Sequence, residues 1–310
     1  MKIIDLHCDV LNKLSRFEDM SFLNDPRLDS NFERLKAGNV KVQVFAIYVH
    51  PKVPIEQRFQ MALKQVEAFK KYVLTTPGIV HITEWEQIKE LQEDEFGAVL
   101  SLEGCDCIGT DIEKLKVLLD AGVKLVGLTW NYENDVAYGN LEDPNKGLKP
   151  FAKTVINYLN ERDIILDVAH LNDAGFYELI SLAKHVIASH SNSRTICANP
   201  RNLTDEQVKL LIEKGGKVHV VFYPPFIENE KEQATIPQII DHIKHLVKLV
   251  GVESVGFGSD FDGIDFKVDG LTNASEYQNL INTLLQHFSE EEVRMMSYNG
   301  FEKYVLSLKA

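Results

Sequence analysis

Three residues near the start of the chain, His7, Cys8 and Asp9 in "IIDLHCD", each carry an atom that can bind a metal. They follow an apolar, strand-like run. Alternation along a strand places His7 and Asp9 on one face, imidazole beside carboxylate, and Cys8 on the other, where it reads as a small buried hydrophobe. A lone His-x-Asp is a weak motif, so the other ligands must come from elsewhere in the chain. Four further stretches supply them: Glu103 in "AVLSLEG", His170 in "IILDVAH", His190 in "VIASHSNSR" and Asp260 in "VGFGSDFDG". In each, an apolar run ends in a histidine or a carboxylate.

What must position these residues is a set of short strands alternating with amphipathic helices. The strands are expected at 3–6, 42–48, 98–102, 125–128, 164–168, 186–189, 218–222 and 255–258. Buried runs without clean alternation suit a parallel sheet covered by helices. The helices carry their own punctuation. "LTDEQVKLLIEKGGKVHVVF" places Thr204 and Gln207 at capping-box spacing and stops at Gly215-Gly216. "TDIEKLKVLLDAGVKLVGL" stops at Gly122, and the stretch from Ile236 stops at Gly251. Eight β/α units in 310 residues predict a single-domain α/β TIM (β/α)8 barrel over 1–310. A doubly wound open sheet is the competitor, but it would show a glycine-rich turn after the first strand, and "DLHCDVLN" has none.

In such a barrel the C-terminal ends of the strands line the active site. Three imidazoles and three carboxylates converging there, with no Lys or Arg among those strand-end residues, would repel or protonate unless cations sit between them. The number exceeds the three protein ligands usual for one catalytic zinc and suits a two-metal site with a bridging carboxylate. The remaining histidines (His50, His81, His185, His219, His242, His245 and His287) fall on helices, in loops or inside strands and read as structural. Cys105 and Cys107 read as buried thiols rather than a soft-metal site.

Composition excludes other classes. The formal net charge is −13, from 33 basic and 46 acidic side chains, which argues against a nucleic-acid or anionic-membrane surface. Four cysteines in a chain this long do not form a disulfide framework. No basic and apolar leader opens the sequence, and no apolar run approaches the roughly 18 residues of a membrane span. A soluble, cytoplasmic protein is expected.

The motifs "DLHCD", "SLEG", "DVAH", "SHSNSR…NPRN" and "GFGSDFDG", in that order over residues 3 to about 265, resemble those of the membrane (renal) dipeptidase family of zinc peptidases. The resemblance implies two Zn2+ per chain: His7 and Asp9 on one, His170 and His190 on the other, Glu103 and a water or hydroxide bridging both. It implies that Asp260 handles protons at the scissile bond and that Arg201 holds the free carboxylate of a dipeptide, for which a guanidinium fork is suited. Dipeptides ending in a D-residue are implied substrates, and homodimers are common in the family. One departure stands out. Trp130 in "GLTWNYEN" occupies the position where the animal enzymes have a histidine that polarises the scissile carbonyl, and indole donates one hydrogen bond but cannot act as imidazole. Tyr223, in "VVFYPPF", is expected on the same rim as part of the substrate pocket. Two other readings compete. An amidohydrolase-type barrel acting on other bonds typically begins with His-x-His. A non-catalytic scaffold has no need of Asp260 and Arg201 together.

Overall fold

A computed structural model describes residues 1–228 and 232–308. Eight parallel strands form the barrel: β1 (Ile3–Cys8), β2 (Val40–Tyr48), β3 (Phe96–Glu103), β4 (Val123–Gly127), β5 (Ile165–Asp167), β6 (Val186–Ile187), β7 (Val218–Val220) and β8 (Val255–Phe257). They hydrogen-bond in the order β6-β5-β4-β3-β2-β1-β8-β7, and a parallel bridge from Ala188 to Val218 joins the two ends. Each expected strand is present. Three described strands lie outside those eight: Ile79–His81, which pairs with β3 off the barrel path, and Ala234–Thr235 and Val268–Asp269, which form a separate two-stranded sheet.

The helix punctuation was legible because it is local. Thr204 and Gln207 form the expected capping box on the helix Asp205–Glu213. Gly122, Gly215 and Gly251 adopt φ of +104°, +85° and +85° where their helices end, a conformation that costs glycine little.

Two apolar layers hold the barrel. The inner one takes Ile4 and Leu6 from β1, Val42 and Val44 from β2, and Val99 from β3, and is closed from below by Phe301, Tyr304 and Val305 of the last helix. The outer one packs the opposite strand faces against the helices. Alternation carries the inner face of β2 and β3 upward to Tyr48 and Glu103, which are register partners across the β2–β3 pair. Apolar layers below and outside thus leave polar side chains at the upper rim.

Candidate metal centre and active-site cavity

The six rim residues named from the sequence come together, although not all by the route that alternation predicts. On β1 the inward residues are Ile4 and Leu6, so strict alternation would turn Cys8 inward. A register irregularity between Asp5 and Cys8 shifts the phase instead. Cys8 packs in the outer core, and His7 reaches the rim. Asp9 lies just past the strand, as the N-cap residue of helix Val10–Arg16, with Oδ2 3.4 Å from His7 Nε2. His170 and Asp260 stand three residues beyond β5 and β8 with φ of +67° and +65°. Left-handed backbone at non-glycine residues is uncommon and clusters at functional sites.

The central residue is Glu103. Its Oε2 is 3.4 Å from His7 Nε2, and its Oε1 is 2.9 Å from His170 Nε2 and 3.8 Å from His190 Nε2. The Nε2 atoms of His170 and His190 face each other at 2.9 Å, and the rings of His7 and His190 stack at 3.9 Å. Potential ligand atoms of His7, Glu103 and His190 lie within 4.8 Å of one another, as do those of His7, Asp9 and Asp260. His7 Nε2 and Asp9 Oδ1 are buried without a hydrogen-bond partner among the described residues. Such orphaned atoms cost free energy in a dry site and are what incoming cations would satisfy. Imidazole and carboxylate are the donor types that zinc takes, so the residues present fit a metal pair.

Electrostatics agree. Burial pushes the Asp260 carboxyl well above its ordinary range, with Asp9 and Glu103 adding and His7 opposing. Burial and then Glu103 raise Asp9. For His7 burial opposes protonation, but Glu103 and Asp9 outweigh it and hold the imidazole well above its usual value. A proton there takes the place of positive charge that the carboxylates call for. Burial, then the Arg201 charge, depress His170 to about 3, and burial depresses His190 well below normal. Neutral imidazole is the form that binds metal.

The supporting residues carry no run-end signature in the sequence. Asp167, at the end of β5, accepts from Ser189 N at 2.9 Å and from the Ser189 hydroxyl, which is 2.6 Å from His190 Nδ1. A matching pair lies under His7: Asp5 accepts from Ser259 N at 2.9 Å and from Ser259 Oγ at 2.6 Å. Both acids sit inside apolar runs, "IIDLH" and "IILDVAH". A charged residue in a buried run was the available signal. Asn131 Oδ1 lies 2.7 Å from His170 Nδ1 and orients that ring.

A cavity of about 380 Å³ opens over the rim, lined by Asp9, Glu103, His170 and Asp260. Tyr48 and Trp130, with rings 5.3 Å apart, form one wall, and Tyr223 and Phe226 form another. Trp130 and Tyr223 thus both face the cavity. His50, read as structural, packs 5.3 Å from Trp130. Arg201 is 2% exposed and sits behind His170 instead of on the cavity wall. Its Nε lies 3.1 Å from His170 Nδ1 and its Nη1 donates to Ser191 Oγ at 2.9 Å, while its Nη2 has no partner among the described residues. Among the described residues no helix is long and apolar enough to cross a membrane.

A TIM barrel with three imidazoles and three carboxylates on its C-terminal rim has the form of a metal-dependent hydrolase. The chain belongs to the membrane dipeptidase family (peptidase family M19), whose family model matches residues 1–301. It is 28% identical over 313 residues to the "uncharacterized dipeptidase C965.12" of Schizosaccharomyces pombe, covering 92% of this chain and 74% of that protein. Its fold matches a metallopeptidase from Rhodobacter sphaeroides solved with a phosphinate mimic of the dipeptide L-Ala-D-Ala, at a TM-score of 0.91 and 22% identity over 99% of both chains. It also matches the structure of "dipeptidase AC", at a TM-score of 0.91 and 24% identity over 98% of each.

Proposed function

We propose that the protein is a binuclear zinc dipeptidase that hydrolyses the peptide bond of free dipeptides, L-Xaa-D-Xaa dipeptides among them. The observation that carries this reading is Glu103, whose two oxygens face His7 on one side and His170 and His190 on the other. His7 and Asp9 would hold one zinc, His170 and His190 the other, and Glu103 would bridge them. Zinc held there supplies Lewis acidity and lowers the pKa of a bound water to about 7.

The chain's own residues do the rest. Asp260, 3.9 Å from His7 Nε2, takes a proton from the attacking water and returns it to the departing amine. Arg201 stands behind His170, yet its Nη2 is left without a partner among the described residues, and we assign the substrate carboxylate to that donor. The acidic lining of Asp9, Asp260 and Asp265 suits a free ammonium group. Recognition of both charged ends restricts the cavity to dipeptides. The test compares hydrolysis of L-Xaa-D-Ala with its N-acetylated form, zinc-loaded and then chelated. Zinc-dependent cleavage of the free dipeptide alone is expected. Cleavage of the N-acetylated compound alone would move the assignment to an amidohydrolase.

A further inference from the structure

Tyr48 has a hydroxyl with nothing to do. The Oη atom is buried and has no hydrogen-bond partner among the described residues. A buried phenol normally finds an acceptor, and leaving it without one is unfavourable. The residue is held firmly all the same. Its backbone N–H donates to Gln65 Oε1 at 3.0 Å, and its carbonyl accepts from Gln65 Nε2 at 2.6 Å. Its ring packs against Trp130 at 5.3 Å and His50 at 6.2 Å. As the register partner of Glu103 at the last inward position of β2, it faces the same cavity one strand away from the centre of the rim.

Among the described residues the cavity lining contains no lysine or arginine. Attack on a peptide carbonyl moves the π electron pair onto oxygen, and a fixed donor aimed at that oxygen stabilises it most in the transition state. Asn131, also on the wall, is engaged with His170, and Tyr223 stands on the opposite wall against Phe226 and Phe266. We propose that Tyr48 is a catalytic residue whose phenol donates a hydrogen bond to the carbonyl oxygen of the scissile bond as that oxygen gains charge. No proton is transferred to that oxygen. When the pair returns and the C–N bond breaks, the amine leaves with the proton carried by Asp260, and the Tyr48 bond is released. Trp130, in this arrangement, is the wall that fixes the phenol ring. The proposal rests on the dipeptidase reading above.

The experiment uses the zinc-loaded full chain and Tyr48→Phe, which keeps the ring and its packing. Tyr48→Phe is expected to lower kcat on L-Ala-D-Ala about 100-fold, with KM, zinc content and Tm within error of the parent. Affinity for a phosphinate dipeptide mimic, measured by calorimetry, should fall by a similar factor, while affinity for the product amino acids holds. A Tyr48→Phe enzyme with kcat within threefold of an active parent overturns the proposal and leaves the dipeptidase reading standing. A loss of that size on Trp130→Phe but not on Tyr48→Phe assigns the donor to the indole and also overturns it. A parent inert toward every dipeptide removes the reading beneath it, and the proposal with it.

Discussion

Asp260 and Asp262 are two residues apart in the loop after β8, both with left-handed backbone, at φ of +65° and +69°. Their surroundings are opposite. Asp262 Oδ1 accepts from Lys13 Nζ at 2.8 Å and from Asp29 N at 2.9 Å, and its Oδ2 accepts from Ser30 N at 2.9 Å. Asp29 answers by accepting from Asp262 N at 3.0 Å. Asp260 has no such set; its charge meets Asp9, Glu103 and a histidine 3.9 Å away. One carboxylate is completed by its own chain and pins the segment before helix Phe32–Ala37 to the barrel. The other is buried against Asp9 and Glu103, with the charges of His7 and Arg201 opposing too weakly to restore its ordinary acidity. Satisfaction of buried polar groups thus separates a structural acid from the one we propose to be reactive, at almost the same place in the sequence.

The sharpest way to break that contrast is to remove the rim's central carboxylate. Glu103→Gln should abolish the zinc pair and lower dipeptide hydrolysis by about 10⁴-fold, several kcal/mol of transition-state stabilisation. Metal analysis and kcat/KM check it; full zinc content with near-normal activity would refute the bridging role. Asp260→Asn should lower kcat by about 10³-fold with zinc content and Tm held, the size expected for a lost proton-transfer group. Asp262→Asn should do the reverse. It breaks a buried, fully bonded charge and should cost about 3 kcal/mol of stability, read by urea unfolding, while the folded fraction keeps its kcat. If the stability loss fell on Asp260 and the kcat loss on Asp262, the contrast would be wrong.

The residues on each side of the contrast were not equally visible in the sequence. His7, Glu103, His170, His190 and Asp260 could be picked out because each ends an apolar run, and a barrel collects run ends on one rim. Their aim could not be read. The irregularity in β1 and the positive φ at His170 and Asp260 arise from tertiary pairing, and neither leaves a mark in a histidine or aspartate. Arg201 was legible as a candidate but not as a residue packed behind His170, since that placement depends on how the loop after β6 folds back. Asp5 and Asp167 lie inside strands and so lack the run-end signature, although an acid in the middle of a buried run has to be bonded to something.

Asp167 offers a smaller effect on the boundary between the two classes. Like Asp262 it is satisfied by its own chain, yet its partner Ser189 touches the Nδ1 of a rim histidine. Asp167→Asn should therefore weaken zinc affinity by about 10- to 100-fold, as loss of an outer partner of a ligating histidine does. Competition with a chromophoric chelator measures it. Unchanged affinity would place Asp167 wholly with the structural acids.

His219 is the histidine counterpart of Asp262, buried in β7 with its Nδ1 2.8 Å from the Ala188 carbonyl. Burial depresses it to about 4, from an ordinary value of 6.5. Between those two values the unfolded chain binds the proton and the folded chain does not. Stability from this residue is thus fully present above pH 6.5 and is lost as the pH falls toward 4. The slope for one proton is about 1.4 kcal/mol per pH unit at most. His219→Gln should flatten the dependence of unfolding free energy on pH between 5 and 6 by about 1 kcal/mol per unit. The rim histidines titrate in parent and variant alike, so their contribution cancels in the difference. Equal slopes in the two proteins would mean that His219 exchanges protons with solvent while folded, and that a satisfied imidazole inside this barrel is less isolated than its carbonyl contact implies.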